Sequence, residues 1–209
     1  MQELKKKLTE RLKGVLPGMD SHIKMVPEAR RAEIERFHQG QDAFKAAVLI
    51  CFVNNYGADT GIVLIRRNEY DGVHSGQISF PGGRYEDGDT DMVSTALREA
   101  EEETNIKESD VEVIGEISPV FIPPSNFFVT PVIAWARKQP ELIPDPSEVS
   151  EIYTISLEQL MDPANRQIRN IAHREFKYID VPCFYIQGNI IWGATAMMLM
   201  ELMDILDET

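Results

Sequence analysis

The sequence is poor in cysteine and has no long apolar run. Its two cysteines, Cys51 and Cys183, each lie in a short apolar segment, so we expect two buried free thiols rather than a disulfide scaffold. The longest apolar stretch, 46–53, is far shorter than the ~20 residues that a membrane-spanning helix needs. These absences predict a globular cytoplasmic protein that has no membrane partner.

Basic residues are scarce beyond the first part of the chain. Residues 1–39 carry 9 Lys and Arg against 6 Asp and Glu, whereas residues 40–209 carry 12 against 28. Such an acidic body repels nucleic acid phosphates, so we expect no nucleic acid partner. An anionic substrate would need a metal ion between it and the protein. The basic residues 1–14 resemble a mitochondrial presequence, but Glu3 and Glu10 count against that interpretation.

The length of 209 residues, 43% of them hydrophobic, fits one main core and a terminal extension. We predict an N-terminal helical extension over 1–40 and a catalytic domain over 41–209. Segments with strand patterns are 46–53, 61–65, 77–80, 111–117, 127–135, 149–155 and 176–185, and segments with helix patterns are 1–14, 27–37, 91–103 and 194–206. Strands of this number with irregular connections predict an α+β fold with a mixed sheet.

One predicted helix is unusually acidic, because four of the five residues 99–103 are glutamates. Like charges at this spacing repel one another and do not stabilise a helix. At 100° per residue, Glu99, Glu102 and Glu103 share an arc of about 100° beside the apolar face, whereas Glu101 points away. A cluster of carboxylate oxygens suits Mg²⁺ or Mn²⁺, although a solvated acidic face would also explain it.

No two histidines stand at the spacing of metal ligands. We therefore interpret His22, His38 and His173 as surface or capping residues. His74 is the exception, because it falls near the predicted cleft and is a candidate for substrate binding.

The acidic helix follows the sequence Phe80-Pro81-Gly82-Gly83, in which two glycines allow the backbone to approach a ligand closely. This combination resembles the signature of the Nudix hydrolases. Its conserved Arg-Glu pair falls on Arg98 and Glu99, and its Glu-Glu pair falls on Glu102 and Glu103. The resemblance implies a Nudix α/β/α sandwich with a mixed sheet and a diphosphatase that uses Mg²⁺ or Mn²⁺.

Three positions depart from that signature. The loop between Gly83 and Arg98 is one residue longer, Asn105 replaces a glycine, and no glutamate occupies the acidic loop position, to which Asp89 is nearest. Asparagine is the next-best residue for a left-handed helix end. In the family the loop glutamate supports the arginine, so its absence is the weakest point of the resemblance.

The flanking segments are similar to the coenzyme A (CoA) diphosphatase branch of that family. Leu64, Arg67, Gly76 and residues 80–83 match the branch signature in register, while Ile65, Asn68 and Gly72 depart from it. The resemblance implies hydrolysis of CoA or its derivatives to 3′,5′-ADP and a 4′-phosphopantetheine product. Other nucleoside diphosphate derivatives, such as ADP-ribose or NADH, and a non-catalytic nucleotide-binding module remain as alternatives.

The resemblance assigns roles to individual residues. Metal ligands are Glu99, Glu102 and Glu103, and Arg98 belongs to the catalytic group as the residue that orients the Glu102 carboxylate one turn further along the helix. The general base is left open among Glu99, Glu102 and a carboxylate of 148–151. The partner is a CoA-like small molecule, and a homodimer is left open. The substrate-binding candidates are Arg66, Arg67, His74, Gly82 and Gly83, of which the Gly83 carbonyl is also a candidate metal ligand.

Overall fold

A computed structural model describes residues 2–31, 43–55, 59–69, 76–173 and 177–207. The helices in these ranges are α1 (Gln2–Arg11), α2 (Met19–His22), α3 (Met92–Thr104), α4 (Leu157–Met161) and α5 (Gly193–Asp207). The strands in the same ranges are β1 (Phe44–Asn55), β2 (Asp59–Arg67), β3 (Ile78–Ser79), β4 (Gly82–Arg84), β5 (Val111–Glu116), β6 (Val120–Ile122), β7 (Phe127–Ala136), β8 (Val149–Ser156), β9 (Arg166–His173), β10 (Lys177–Ile186) and β11 (Asn189–Trp192).

Eight of the described strands form one mixed sheet. Its main path runs β3-β2-β1-β7-β5, with β4 paired to β1, β6 to β7 and β8 to β2. The sheet is mixed because β1 and β7 run parallel, whereas β1 and β2 run antiparallel. The strands β11, β10 and β9 form a second, antiparallel sheet. This arrangement confirms the predicted α+β fold with a mixed sheet.

Strand β1 separates two apolar layers, because alternate side chains of a strand point to opposite faces. Ala47, Leu49 and Cys51 pack with Ala96 and Ala100 of α3 on one face. On the other face, Ala46, Ile50 and Phe52 belong to the larger cluster that contains the apolar side chains of α5. Helices therefore cover both faces of the sheet, which gives the predicted α/β/α sandwich.

The N-terminal segment is attached to α5 by a buried polar cluster. Glu201 of α5 is fully buried, and its Oε1 accepts hydrogen bonds from the backbone N–H groups of Gly18 at 3.0 Å and Ser118 at 3.3 Å. His22 Nε2 lies 2.8 Å from Glu201 Oε2, and the His22 side chain is buried as well. The interpretation of His22 as a surface or capping residue is therefore wrong, because its side chain is buried. Its partner lies near the other end of the sequence, so no local pattern indicated the contact.

Most predicted elements are confirmed to within a few residues, and so are both buried free cysteines. Three short strands, β4, β6 and β11, and the longer β9 were not predicted. β4 contains two glycines, which are unfavourable in strands, while β9 lacks the alternation of apolar and polar residues that identifies a half-buried strand.

The predicted division near residue 40 falls in 32–42, which lie outside the described residues, as does most of the predicted helix 27–37. Leu8 of α1 is buried in the same cluster as α5. Among the described residues, no helix combines the length and apolar character required to cross a bilayer. The domain division remains a prediction.

Candidate active site

Helix α3 carries the predicted acidic residues, and local capping determines where it begins and ends. Asp91 accepts a hydrogen bond from the Ser94 N–H, and the Ser94 side chain accepts one in return from the Asp91 N–H, which is a capping box. At the other end, Asn105 adopts the left-handed conformation at φ 61°. The structure thus confirms the expected role of Asn105 in place of glycine.

Two carboxylates of α3 lie against the backbone of β4. Glu103 is only 2% exposed, and its Oε2 accepts a hydrogen bond from the Gly82 N–H at 2.7 Å. A methyl group at Gly83 would lie 2.3 Å from Glu99 Oε2, so only glycine allows this carboxylate to approach the strand. The structure therefore brings together Gly82, Gly83, Glu99 and Glu103, as the sequence predicted.

Arg98 joins three acidic side chains, Asp89, Glu99 and Glu102, into one hydrogen-bonded network. Its Nε and Nη2 donate to Asp89 Oδ1 and Oδ2 at 2.9 and 3.0 Å, which is a bidentate pair. Its Nη1 donates to Glu99 Oε1 at 2.9 Å and to Glu102 Oε2 at 3.4 Å, while Nη2 also donates to the Arg84 carbonyl. Arg98 thus contacts Glu102, which it was predicted to orient, but it lies closer to Asp89 and Glu99.

Asp89 is the functional residue that the sequence reasoning undervalued. The missing loop glutamate was the weakest point of the family resemblance, and Asp89 was noted only as the nearest acid. Its side chain also accepts from Thr95 Oγ1 at 2.8 Å, which ties the loop to the first turn of α3. The shorter acid reaches Arg98 from the loop that precedes α3, nine positions earlier in the chain.

Arg67 approaches the buried glutamate from the end of β2. Its Nη2 donates to the Gly82 carbonyl at 2.7 Å and lies 3.3 Å from Glu103 Oε1. Arg66 points to the other face, where it donates to Tyr153 Oη at 2.9 Å and to Asn189 Oδ1 at 2.6 Å. The two arginines are thus separated as the strand alternation predicts, and only Arg67 joins the α3 carboxylates.

Burial and charge shift the acidity of these groups in opposite directions. Burial raises the pKa of Glu103 to about 7, against the opposing effects of Arg67 and the Gly82 N–H. Burial also raises the pKa of Glu99. Hydrogen bonds from Arg98 hold the pKa of Asp89 well below its usual range. Hydrogen bonds and positive charge therefore compensate the burial of Asp89, but they do not compensate the burial of Glu99 and Glu103.

Within the described ranges, no three acidic, histidine or cysteine side chains converge closely enough to form a complete metal site. The Glu102 side chain is 60% exposed at the rim, whereas those of Glu99 and Glu103 are 14% and 2% exposed. The chemistry of the residues nevertheless fits a hard cation. Glu103 Oε1 is buried and accepts no hydrogen bond from the described residues, so it retains an unused electron pair.

The candidates for general base differ in position. Glu151 accepts a hydrogen bond from Tyr153 Oη and lies 3.9 Å from Arg66 Nε, so it belongs to the Arg66 side of the sheet. The negative charge of Glu148 is one of the smaller causes that raise the pKa values of both Glu99 and Glu103. His74 lies outside the described residues, so its predicted role is not tested.

The chain is similar in sequence to known proteins that contain a Nudix domain. The family model for the NUDIX domain matches residues 43–176. The chain is 35% identical over 168 residues to "Nudix hydrolase 15, mitochondrial" of Arabidopsis thaliana, a match that covers 77% of this chain and 59% of that protein. It is 31% identical over 141 residues to the "Uncharacterized Nudix hydrolase NudL" of Photorhabdus laumondii, covering 68% of this chain and 74% of that protein.

Among solved structures, the chain resembles the Nudix hydrolase RenU from M. smegmatis with a TM-score of 0.55 and 18% identity. The match covers 79% of this chain and 87% of that one, and at this identity it supports the fold alone. The domain match spans well over half of the sequence and includes the Gly82–Gly83 strand, the acidic helix and Asp89. This chain therefore belongs to the Nudix family.

Proposed function

We propose that the protein is a metal-dependent diphosphatase that hydrolyses CoA or CoA derivatives to 3′,5′-ADP and a 4′-phosphopantetheine product. The observation that carries the diphosphatase chemistry is the pair of carboxylates, Glu99 and Glu103, held against the Gly82–Gly83 backbone. The choice of CoA is supported by the signature residues Leu64, Arg67 and Gly76. It goes beyond the names of these two relatives, which mention no substrate.

The proposed metal is Mg²⁺ or Mn²⁺, held by Glu99, Glu102 and Glu103. When bound, such an ion neutralises diphosphate oxygens and lowers the pKa of an attacking water. The chain itself supplies the orientation of the ligands. Arg98 holds Glu99 through Nη1 while Asp89 holds Arg98, so a rigid chain of charge-assisted bonds connects the loop to the ligand.

The neighbouring backbone groups complete this proposed site. Because the Gly82 N–H binds Glu103 Oε2, the buried carboxylate has one oxygen committed to the protein and one directed elsewhere. The Gly83 carbonyl is proposed as a further ligand. The absence of a side chain at Gly83 allows the Glu99 carboxylate to lie directly against this backbone.

For the general base, we favour Glu148 over Glu151. Glu148 is exposed and stands within electrostatic reach of Glu99 and Glu103, whereas Glu151 is engaged by Tyr153. The Glu148 carbonyl accepts a hydrogen bond from the Asn68 N–H, which ties this turn to the end of β2 next to Arg67. Glu99 and Glu102 remain the alternatives, but both are assigned to the metal.

The other proposed properties concern partners and location. The acidic charge supports a small-molecule partner and no nucleic acid partner. A homodimer and a cytoplasmic location are kept as proposals. One similar protein carries the word mitochondrial in its name, so location is best determined by imaging the tagged full-length protein.

The test is incubation with Mg²⁺ and a panel of CoA, acetyl-CoA, ADP-ribose, NADH and dinucleoside polyphosphates, followed by mass spectrometry. We expect CoA or acetyl-CoA to have the highest kcat/KM. A preference for ADP-ribose or NADH would select the alternative substrate class, which the departures at Ile65 and Asn68 keep open. Binding without turnover would select the non-catalytic module.

The reaction in ¹⁸O-labelled water tests the chemistry separately. Because the described site offers carboxylates rather than a Ser-His or Cys-His pair, water should attack phosphorus directly. The label should enter one phosphoryl product in the first turnover. Trapping a phosphoryl-enzyme intermediate would contradict direct attack by water.

A further inference from the structure

Arg67 and Arg98 are attached to the site in different ways. Arg98 makes a bidentate pair with Asp89 and further bonds to Glu99 and to the Arg84 carbonyl. Among the described residues, the Arg67 side chain donates one hydrogen bond, from Nη2 to the Gly82 carbonyl, and the same nitrogen faces Glu103 Oε1 at 3.3 Å. Its side chain is 25% exposed, while that of Glu103 is 2% exposed. Arg67 is therefore held less firmly than Arg98 and has a path to solvent.

The oxygen that Arg67 faces is the one left available on Glu103. Oε2 is committed to the Gly82 N–H, while Oε1 is buried and accepts no hydrogen bond from the described residues. A buried carboxylate is costly unless a positive charge compensates it. Arg67 supplies that positive charge. Its Nη2 donates its hydrogen bond to the Gly82 carbonyl and lies near Glu103 Oε1 without forming a hydrogen bond to Oε1.

A divalent cation bound to Glu103 would have to use this same oxygen or lie next to it. The cation and the guanidinium would then repel each other across a few ångströms in a partly buried site. Only one of them can be the main counter-ion of Glu103. The weaker attachment of Arg67 makes it the group that moves.

We infer that Arg67 is an exchangeable counter-ion of Glu103, which neutralises the carboxylate until a divalent cation replaces it and is then free to contact the diphosphate of the substrate. This inference rests on the proposed metal-dependent function. It makes Arg67 a residue that couples metal binding to substrate binding, with the metal bound first. The opposite arrangement would be a permanent Arg67–Glu103 pair that holds the ligand in its productive position.

The two arrangements predict opposite effects on metal affinity. Mn²⁺ binding to the full-length protein without substrate can be measured from the electron paramagnetic resonance signal of free Mn²⁺. If Arg67 competes with the metal, Arg67→Gln should bind Mn²⁺ about 10-fold more tightly than the wild type. Arg66→Gln is the matched control, because it removes the adjacent arginine on the opposite face, and it should bind Mn²⁺ like the wild type.

Equal or weaker Mn²⁺ binding by Arg67→Gln would overturn the exchange and indicate a permanent pair. The same result would leave the diphosphatase proposal standing, provided that the wild type binds Mn²⁺ and hydrolyses a diphosphate. Tighter binding by both arginine variants would show only a general loss of positive charge and would also overturn the inference. Absence of Mn²⁺ binding in all three proteins would overturn both proposals.

A second measurement, the nuclear magnetic resonance of the arginine side chains, tests the release of Arg67 in the wild-type protein and so needs no variant. In the wild type, saturating Mg²⁺ should shift the side-chain ¹⁵N resonances of Arg67 and speed the exchange of its guanidinium protons with water. The Arg98 resonances should keep their slow exchange, since Asp89 continues to hold that side chain. Unchanged Arg67 exchange in the metal-saturated protein would exclude its release.

Discussion

Two buried glutamates, Glu103 on α3 and Glu201 on α5, are equally hidden from solvent and differ in how they are compensated. Burial raises the pKa of Glu103 to about 7, since one hydrogen bond and one arginine do not offset the loss of water. Burial acts in the same direction on Glu201, but hydrogen bonds from His22, Ser118 and Gly18 outweigh it and lower its pKa. A buried carboxylate with a full set of donors stabilises the fold, whereas one with an unused oxygen is available for chemistry.

The largest expected effect is on stability, from Glu201→Ala. This change leaves His22 and two backbone N–H groups without their buried acceptor, so we expect a loss of about 3–5 kcal/mol in the free energy of unfolding. Urea unfolding followed by circular dichroism measures it, and kcat of the folded fraction should change less than ~3-fold. Asp207→Ala, at an exposed position of the same helix, is the control. A loss no greater than that of the control would remove the contrast between the two glutamates.

Glu103→Gln should have the opposite effects, namely a large loss of activity and a small change in stability. The amide keeps the shape but removes a charged ligand, so we expect kcat to fall at least ~100-fold, or ~2.7 kcal/mol, with little change in stability. Steady-state kinetics with Mg²⁺ and the best diphosphate substrate measure this. Glu101→Gln is the matched control, because Glu101 is exposed on the same helix, and it should be nearly silent. Equal losses in both variants would show that the helical placement of the ligands is wrong.

Asp89→Asn tests whether a carboxylate with a lowered pKa can matter for catalysis through another residue. The change weakens the bidentate pair with Arg98, which positions Glu99. We expect kcat to fall by about 10- to 30-fold, or ~1.4–2 kcal/mol, while KM changes little. Asp87→Asn in the same loop is exposed and provides the control. Unchanged kcat would mean that Arg98 is held adequately by its other partners.

The smallest effect concerns acid stability. The lowered pKa of Glu201 means that its carboxylate stabilises the folded protein above the ordinary glutamate value of 4.5, and that this contribution disappears as the pH falls through the lowered folded value. The difference in unfolding free energy between wild type and Glu201→Gln, about 1–2 kcal/mol at pH 5, should shrink towards pH 3. Nearby His22, Lys24 and Asp204 are present in both proteins. A constant difference would show that the Glu201 charge contributes nothing.

Local patterns predicted the acidic helix well. The capping residues, the placement of Glu99 and Glu103 beside the apolar face, and the left-handed end at Asn105 all follow from interactions within a few residues of one another. The glycines at 82 and 83 were predicted to permit a close approach. The structure shows that the Glu99 carboxylate approaches Gly83, whereas Ala47 and Val48 of β1 approach Gly82. Such features are predictable because helix geometry relates neighbouring positions directly.

The interaction partners and the burial of the charged residues were harder to predict from the sequence. Glu99, Glu102 and Glu103 share one helical arc, yet only Glu103 of the three is buried. The Glu99 side chain is 14% exposed beside β4, and that of Glu102 is 60% exposed at the rim. Asp89 takes the place of a glutamate through a longer loop, whose path depends on the packing of α3. The bond between His22 and Glu201 joins residues 179 positions apart, and nothing in their local sequence indicates it.

The sequence by itself determined the period and sign of charge along α3, the continuous apolar run of β1 and the ability of the backbone at Gly82–Gly83 to approach other groups closely, since these depend on short-range geometry. The tertiary structure alone decided which acidic residues are buried and which donors compensate them. Burial and compensation depend on strands and helices that meet only after folding. The contrast between Glu103 and Glu201 is therefore a property of the packed molecule, because each glutamate acquires its chemistry from groups distant in the chain.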